Sequence, residues 1–326
     1  MLVYATVPVS QFEPESIITK SIECLKELEC DNFDFEIYYL IETFPGDTRT
    51  LSWVLPDNFK ILLRTPRGHK AGAINDFLSV AKNADYVAVF DVDSRPAKDY
   101  VVKCVAALEE NDSAVLSTGC LVINNTNSIL TKIVSIEYAL ICDSHLPSWS
   151  EGFFPVGSAA VIKVSLLEGE KLNEESWGED FDLMTRLYLK RRVSVHAKTV
   201  SETQTPDTLK DLYHQRVRWH RGMVQSFSRY FIPMVKAPIP FSRKILWSST
   251  IMAAFCWFLF SPYAISLFLV NRHNIRKLSD SPLDIMKILL GSIGFTLFRT
   301  ACGFVALAQH LTSRKPEWKS SMRSDI

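Results

Sequence analysis

The sequence predicts an α/β fold with a mainly parallel sheet, followed by a membrane region near the C-terminal end. Strand-like apolar runs alternate with helical patterns in the first part of the chain. One run, Tyr86–Phe90, is apolar throughout, which is typical of a strand buried inside a parallel sheet. Later, residues Ile245 to Val270 carry no charge and form a segment longer than the ~20 residues that cross a bilayer core.

The length and composition of the chain suit this architecture. Its 326 residues, 47% of them hydrophobic, can bury a full-sized core in one or two domains. The formal net charge is zero, and we expect no nucleic-acid partner.

Five predicted elements precede the Tyr86–Phe90 strand. They are a strand at Leu2–Pro8, an amphipathic helix at Glu15–Leu28, strands at Phe35–Ile41 and Asn58–Leu63, and a helix at Ala71–Ala81. Such alternation predicts a doubly wound sheet whose ligand crevice lies at the carboxyl ends of the strands. Asp91 and Asp93 directly follow the Tyr86–Phe90 strand, so we expect them at that crevice.

The tripeptide Asp91-Val92-Asp93 supplies hard oxygen ligands. Mg²⁺ and Mn²⁺ bind to one or two carboxylates, and substrate phosphate oxygens and water complete the coordination shell. Taken alone, an acidic turn after a strand is the more ordinary explanation. The motifs on either side favour a metal site.

Upstream of this motif, residues 70–75 form the small-residue segment Lys-Ala-Gly-Ala-Ile-Asn. Gly72 and its neighbouring alanines permit a close backbone approach at a helix start, where amide groups and Lys70 can meet phosphate. A packing site for small residues explains the segment equally well.

Glu179 and Asp180 begin a predicted helix that continues to Leu189. Adjacent carboxylates at this position are ordinary, because the helix dipole favours negative charge at the N-terminus. The functional alternative is that Asp180 is a general base that takes a proton from a hydroxyl group.

The segment Gln215-Arg216-Val217-Arg218-Trp219 joins a phosphate-binding residue type to an aromatic ring. The Arg218 guanidinium can bind diphosphate oxygens through two hydrogen bonds, and Trp219 offers an apolar face to a sugar ring. A basic interfacial helix with a membrane-anchoring tryptophan is the alternative.

A second apolar segment, Ile288–His310, contains Arg299. A charge near the bilayer centre costs about 2.5–3.5 kcal/mol on insertion scales, so a re-entrant or interfacial helix remains an alternative to a second span. Basic residues are concentrated between Thr205 and Lys244, which predicts an integral membrane protein whose preceding domain faces the cytoplasm. Basic residues in the loop between the two segments weaken this topology argument.

These features predict three regions. Residues 1–228 form a catalytic domain, residues 229–244 an interfacial segment, and residues 245–326 a membrane domain with about two helices, at 245–270 and 288–310, and a basic tail. The lipid bilayer is therefore an expected partner.

With these motifs in this order, the chain resembles the processive-type family 2 glycosyltransferases. This group includes cellulose, chitin and hyaluronan synthases and the egghead-like β-1,4-mannosyltransferases. The resemblance covers roughly residues 1–245 and the membrane helices. It is carried by Lys70–Asn75, Asp91–Asp93, Gly178–Asp180 and Gln215–Trp219, with Gly157-Ser158, Glu202 and Pro206 also matching.

The resemblance implies a GT-A fold and an inverting displacement that forms a β-glycosidic bond. It also implies a Mg²⁺ or Mn²⁺ cofactor, a UDP- or GDP-sugar donor, and a lipid-linked or glycan acceptor. By this match the metal is held by Asp91 and Asp93, the donor is bound by Lys70, Asp91, Asp93, Gln215 and Arg218, the base is Asp180, and the acceptor is bound by Glu179 and Trp219.

Two residues depart from the family pattern. Gly178 replaces the usual threonine of the acidic motif, and Glu42 replaces the aspartate that contacts the donor base. Both departures leave the identity of the donor base open. A polyprenyl-phosphate sugar synthase and a non-catalytic, membrane-anchored protein that binds nucleotide sugars are the alternative functions.

Overall fold

The computed structural model divides the chain into two compact units. The first lies within residues 1–121 and 149–203, and the second within residues 122–148 and 204–324. The structure describes residues 1–44, 46–47, 55–144, 152–153, 157–256, 278–279 and 281–312. The functional division predicted at residues 228 and 244 remains a prediction.

An eight-stranded sheet organises the first unit. Its strands are β1 (Leu2–Val9), β2 (Asp34–Glu42), β3 (Phe59–Arg64), β4 (Tyr86–Phe90), β5 (Arg95–Pro96), β6 (Ala114–Ile123), β7 (Ala159–Lys163) and β8 (Val193–Thr203). They lie in the order β3-β2-β1-β4-β7-β6-β8-β5. Strands β1 to β4 are parallel, whereas β7 runs antiparallel to β4 and β6. The α/β class is confirmed, with a mixed sheet.

The helices are distributed over both units. The first unit contains α1 (Glu15–Lys26), α2 (His69–Val80), α3 (Tyr100–Glu109) and α5 (Glu179–Leu189), and the second contains α4 (Ile129–Ser144), α6 (Leu209–Lys236), α7 (Phe241–Cys256) and α8 (Pro282–Leu311). Every element predicted before Asp91 is present, with ends shifted by one or two residues.

Helix α2 begins earlier than predicted because of a left-handed corner in the backbone. Gly68 and His69 have φ angles of 62° and 50°, and the helix starts at His69. A Cβ atom at Gly72 would collide with the Arg67 carbonyl oxygen. The absence of a side chain at Gly72 therefore serves the packing of this corner, which places Lys70 in the first helical turn.

Helices α4, α6 and α8 share the core of the second unit. The buried side chains of the main cluster are Ile123, Ile133, Val134, Ile136, Leu212, Ile288 and Phe295. Gly291 permits close contact between α8 and α4, since a Cβ atom there would clash with Ile133. Helix α7 contributes the fully buried Trp247, whose ring stacks on Phe227 of α6 at 5.8 Å between centroids.

Among the described residues, α8 is the one helix long and apolar enough to cross a membrane. It contains the predicted 288–310 segment. Of the predicted 245–270 segment, Ile245–Cys256 belong to α7, and the remainder lies outside the described residues. Large apolar side chains are exposed along α8 at intervals of three, four or seven residues: Leu283, Met286, Leu290, Ile293, Leu297, Phe304 and Leu311. This spacing places them along one side of the helix.

The structure also shows how α8 accommodates Arg299. The Arg299 side chain is 11% exposed, and its guanidinium forms an ion pair with Glu137 of α4. The charge is therefore directed into the helix cluster, which is the usual arrangement for an ionisable residue in a membrane segment.

His220 of α6 makes the fold sensitive to acid. Burial, together with the nearby Arg299 and Arg216 guanidinium groups, lowers the pKa of His220 to about 3. The unfolded chain binds a proton near the ordinary histidine pKa, but the folded chain does not. The free energy of unfolding should therefore fall by up to about 1.4 kcal/mol per pH unit as the pH decreases from about 6.5 towards 3.

This prediction is checked by thermal unfolding in detergent between about pH 7.5 and pH 5. His220→Leu should flatten the pH dependence, whereas His214→Gln, which removes a partly exposed histidine of the same helix, provides the matched control. An identical pH dependence in wild type and His220→Leu would contradict the prediction.

Candidate active site

The acidic motif after β4 is fixed by hydrogen bonds to the segment that precedes β7. The Asp91 amide donates to the Ser158 carbonyl oxygen at 2.8 Å, and the Ser94 hydroxyl donates to the same oxygen at 2.7 Å. These bonds extend the pairing of β4 with β7, in which Phe90 faces Ala159. The motif is thus held at the carboxyl end of β4, as predicted.

Lys70 connects α2 to this motif. Its ammonium group donates to the Asp91 carboxylate and to the Gly157 carbonyl oxygen. Burial opposes the charged form, but the Asp91, Glu179 and Asp180 carboxylates raise the pKa of Lys70 above its ordinary value. Lys70 is therefore a fixed cation at neutral pH.

Asp180 reaches the same place from the first turn of α5. A Cβ atom at Gly157 would lie 3.0 Å from Asp180 Oδ2, so any larger residue there would require this oxygen to shift by a few tenths of an ångström. The other oxygen, Oδ1, accepts a hydrogen bond from the Phe181 amide at 2.8 Å. Both contacts orient the carboxylate.

A cavity adjoins this cluster. Lys70, Gly157, Glu179 and Asp180 line it, together with apolar side chains from α2, β4, β7 and α5. Polar groups therefore converge at one place on a largely apolar wall. The cavity holds about 40 Å³, far less than the roughly 300–1,000 Å³ of ligand pockets, so it marks where the polar cluster meets the apolar packing of the sheet and α5.

The donor set suits a hard divalent cation. Asp91 lies next to the cavity cluster, and Asp93 follows it as a buried carboxylate with 6% exposure. With Glu179 and Asp180, these carboxylates outnumber the Lys70 ammonium in this part of the first unit. Oxygen ligands and an excess of negative charge are what Mg²⁺ or Mn²⁺ requires. That Asp91 and Asp93 hold such an ion remains a prediction.

Glu42, the predicted contact of the donor base, lies at the end of β2. Its carboxylate pairs with Arg64 at the end of β3, and Arg64 Nε also lies 3.2 Å from Asp76. Burial raises the pKa of Glu42, and the Arg64 guanidinium opposes this rise. Glu42 is therefore held firmly at the carboxyl edge of the parallel strands.

The remaining predicted site residues belong to the second unit. Gln215, Arg218 and Trp219 lie on α6 at spacings that place them on one face of the helix, and each is partly buried. The helix begins at Thr208, whose hydroxyl accepts a hydrogen bond from the Asp211 amide at 3.1 Å. The structure thus brings together Lys70, Asp91, Glu179 and Asp180 in one unit, and Gln215, Arg218 and Trp219 in the other.

Two residues have structural roles that sequence reasoning did not assign. Gly157 contacts both Lys70 and Asp180, although the sequence marked it only as a match to a family pattern. Asn75 exchanges hydrogen bonds with the backbone of Leu172, both at 2.9 Å, and so ties α2 to the loop before α5. Its position in the Lys70–Asn75 motif was the only available signal.

Comparison with known proteins gives a family match over more than half of the chain. The family model described as "Glycosyl transferase family group 2" matches residues 86–275. Among curated proteins, glucomannan 4-beta-mannosyltransferase 9 of Arabidopsis thaliana is 28% identical over 181 residues, which is 53% of this chain and 34% of that protein. A probable glucomannan 4-beta-mannosyltransferase of Oryza sativa subsp. japonica is 27% identical over 201 residues, 58% of this chain and 35% of that protein. The match thus spans about a third of the length of these relatives.

Solved structures show the same GT-A fold. The mannosyltransferase PcManGT from Pyrobaculum calidifontis, in complex with GDP-Man and Mn²⁺, has a TM-score of 0.65 and 17% identity, with 96% of this chain and 88% of that chain covered. TarS 1–349 of S. aureus, in complex with UDP-GlcNAc, has a TM-score of 0.55 and 14% identity, with 98% and 94% covered. At these identities the likeness concerns the fold, and the predicted GT-A architecture is confirmed.

The acidic motif yields a prediction about metal binding. Asp91→Asn and Asp93→Asn should each weaken Mn²⁺ binding by at least about 10-fold, because loss of an outer partner of a metal ligand already costs about 10–100-fold in other sites. Titration with Mn²⁺, followed by the electron paramagnetic resonance signal of the free ion, measures the affinity. Asp112→Asn, a change of an exposed carboxylate, is the control. Equal affinity in all variants would remove the motif from metal binding.

Proposed function

Because the chain belongs to the glycosyl transferase family group 2, we propose that it is a membrane-bound, inverting hexosyltransferase. It transfers a sugar from a nucleotide diphosphate donor to a hydroxyl group of a lipid-linked or glycan acceptor and forms a β-glycosidic bond. The identities of the sugar and the acceptor are proposed, and so is the catalytic role of each residue named below.

One observation carries this proposal: the Lys70 ammonium binds the Asp91 carboxylate and the Gly157 carbonyl oxygen, and Asp180 packs against Gly157. A group suited to the donor diphosphate, a group suited to its metal ion and a candidate base therefore lie close together around Lys70 and Gly157. Displacement at a sugar carbon needs these three functions close together.

In the proposed reaction, the acceptor oxygen bonds to the anomeric carbon as the bond from that carbon to the diphosphate oxygen breaks. Asp180 takes the proton of the acceptor hydroxyl, and the nucleoside diphosphate leaves with the bonding electrons. A divalent cation bound at Asp91 and Asp93 would neutralise charge on the leaving diphosphate. Lys70 adds a fixed positive charge on the same side of the site.

We propose substrate-binding roles for three residues of α6 and for Glu179. Gln215 and Arg218 bind the diphosphate, and the Arg218 guanidinium suits two phosphate oxygens at once. Trp219 lies one residue further along the same helix face and supports the acceptor sugar ring. Glu179, which lines the cavity next to Asp180, binds acceptor hydroxyl groups.

GDP-mannose is the first donor to test. This choice of donor is supported by the names of the curated relatives, which are 4-beta-mannosyltransferases, and by the GDP-Man bound in the PcManGT structure. UDP-sugars come second, because TarS was solved with UDP-GlcNAc. We propose that Glu42, held by Arg64, contacts the donor base.

The membrane location rests on α8 and on charge. The exposed apolar side of α8 suits lipid contact, and the pairing of Arg299 with Glu137 meets the main objection to a span in this segment. The basic residues between Thr205 and Lys244 support a catalytic domain that faces the cytoplasm.

The direct experiment uses the full chain, purified in detergent, with GDP-mannose, UDP-glucose and UDP-GlcNAc. An alkyl β-mannoside, a β-1,4-linked mannooligosaccharide and a polyprenyl phosphate serve as acceptors, and release of the nucleoside diphosphate is measured with and without Mn²⁺. The proposal predicts metal-dependent release that is stimulated by a sugar acceptor. Stimulation by polyprenyl phosphate alone would instead identify a polyprenyl-phosphate sugar synthase, and donor binding without release would identify a non-catalytic protein.

Asp180→Asn isolates the proposed base. The change removes the proton acceptor but keeps the shape of the side chain, so kcat should fall by about 10²–10⁴-fold. Donor affinity, measured by calorimetry with GDP-mannose and Mn²⁺, should remain close to that of the wild type. Wild-type turnover in this variant would exclude Asp180 as the base.

Trp219→Ala separates acceptor binding from donor binding. Loss of the indole should raise the acceptor KM, or lower kcat through misplacement of the hydroxyl group, with little change in nucleotide affinity. A polyprenyl phosphate acceptor has no ring to stack on Trp219, so transfer to it should be nearly normal. Unaltered kinetics with the alkyl β-mannoside would indicate a membrane-anchoring role for this residue.

A further inference from the structure

One buried carboxylate in the second unit binds two guanidinium groups. Glu137 Oε2 accepts from Arg216 at 2.7 Å, and Oε1 accepts from Arg299. The side chains of Glu137, Arg216 and Arg299 are 5%, 1% and 11% exposed. Two cations share one anion, so loss of the Glu137 carboxylate would leave two buried guanidinium groups without it.

The Arg216 guanidinium also stacks against an aromatic ring that the proposed function uses. Its Cζ atom lies 4.3 Å from the Trp219 ring centroid and 6.0 Å from the Tyr138 ring centroid. A guanidinium at this distance is attracted to the indole face and restricts the orientation of the ring. The Trp219 ring is therefore supported on one face by the Arg216 guanidinium, a side chain of the same helix.

This support is itself fixed by two other helices. Arg216 and Trp219 belong to α6, whereas Glu137 belongs to α4 and Arg299 to α8. The bond to Glu137 fixes the position of the planar guanidinium, and its contact with the Trp219 ring restricts its orientation. The chain of contacts thus runs from the apolar helix α8, through Glu137 and Arg216, to Trp219.

We propose that Glu137 and Arg299 are positioning residues for the acceptor site: they hold the Arg216 guanidinium against the indole so that Trp219 presents one orientation to the acceptor sugar. The proposal rests on the acceptor role of Trp219 given above. It makes α8 a part of the acceptor site as well as a membrane anchor.

A purely structural role for the three charges predicts something different. If Glu137 only neutralises Arg299 within α8, its loss lowers stability but does not change how Trp219 binds an acceptor. The two roles therefore differ in acceptor KM and in whether the effect of Glu137 depends on Trp219.

A double-mutant cycle tests this dependence. Glu137→Gln, Trp219→Ala and the double variant are compared by their KM for an alkyl β-mannoside and for GDP-mannose. Glu137→Gln should raise the acceptor KM by roughly 3- to 30-fold, the range that a cation–π contact supports, and leave the donor KM within about 2-fold. In the Trp219→Ala background the same change should have almost no further effect.

Arg216→Lys provides a second variant that keeps the charge beside Glu137 but loses the flat guanidinium. It should raise the acceptor KM as Glu137→Gln does, and it replaces Glu137→Gln in the cycle if that variant fails to fold. Additive effects on the acceptor KM in the cycle, or a wild-type acceptor KM in Arg216→Lys, would overturn the proposal.

A spectroscopic measurement keeps this inference separate from the proposed function. The near-ultraviolet circular dichroism of Trp219, obtained as the difference between wild type and Trp219→Phe, reports the asymmetry of its surroundings without any substrate. This difference should shrink when the same pair is compared in the Arg216→Lys background. If the Trp219 circular dichroism signal is unchanged in the Arg216→Lys background, the positioning role is overturned. If this signal shrinks but Trp219→Ala has a normal acceptor KM, Arg216 does orient the ring, and the proposed acceptor role of Trp219 is what is wrong.

Discussion

The arrangement of the first unit depends on one partly buried cation, the Lys70 ammonium. It binds the Asp91 carboxylate and the Gly157 carbonyl oxygen, and the Glu179 and Asp180 carboxylates add to the field that keeps it charged. Carboxylates this close repel one another in a medium of low dielectric constant, so a positive charge among them is needed to hold them together. The left-handed corner at Gly68 and His69 is what places Lys70 there.

The second unit uses charge differently. There the cations are in excess, and a single carboxylate, Glu137, holds Arg216 and Arg299 among apolar helices. In the proposed function the charges of the first cluster attract a metal ion and a substrate, whereas the charges of the second cluster pair with one another and are proposed to act through the Trp219 ring that Arg216 supports. A catalytic cluster and a supporting cluster can thus be distinguished by whether their charges adjoin a cavity or are buried and paired.

Local patterns were sufficient to predict the parallel strands and the position of the acidic motif. The wholly apolar run Tyr86–Phe90 indicated a buried strand, which placed Asp91 at its carboxyl end. The antiparallel insertion of β7 between β4 and β6 was not predictable, because strand pairing between distant segments leaves no periodic signal in a single sequence. Other contacts between distant segments could not be predicted for the same reason. They are the bonds from Asp91 and Ser94 to Ser158, the contact of Gly157 with Asp180, and the pairing of Glu42 with Arg64. For Arg299, hydropathy revealed the cost of the charge, but its partner, Glu137, lies far away in sequence.

The central claim is that Gly157 lets the proposed base and the cation side of the site meet at one point, and Gly157→Ala tests it most directly. The added Cβ atom would lie 3.0 Å from Asp180 Oδ2 and should displace this oxygen, while Gly294→Ala, at a position where a Cβ atom meets nothing within 4 Å, is the matched control. With GDP-mannose and the alkyl β-mannoside, kcat should fall measurably in Gly157→Ala, though by less than the roughly 10²-fold loss that a misplacement of about 1 Å causes. Nucleotide affinity should stay that of the wild type, and Gly294→Ala should remain fully active. A wild-type kcat in Gly157→Ala would contradict the account.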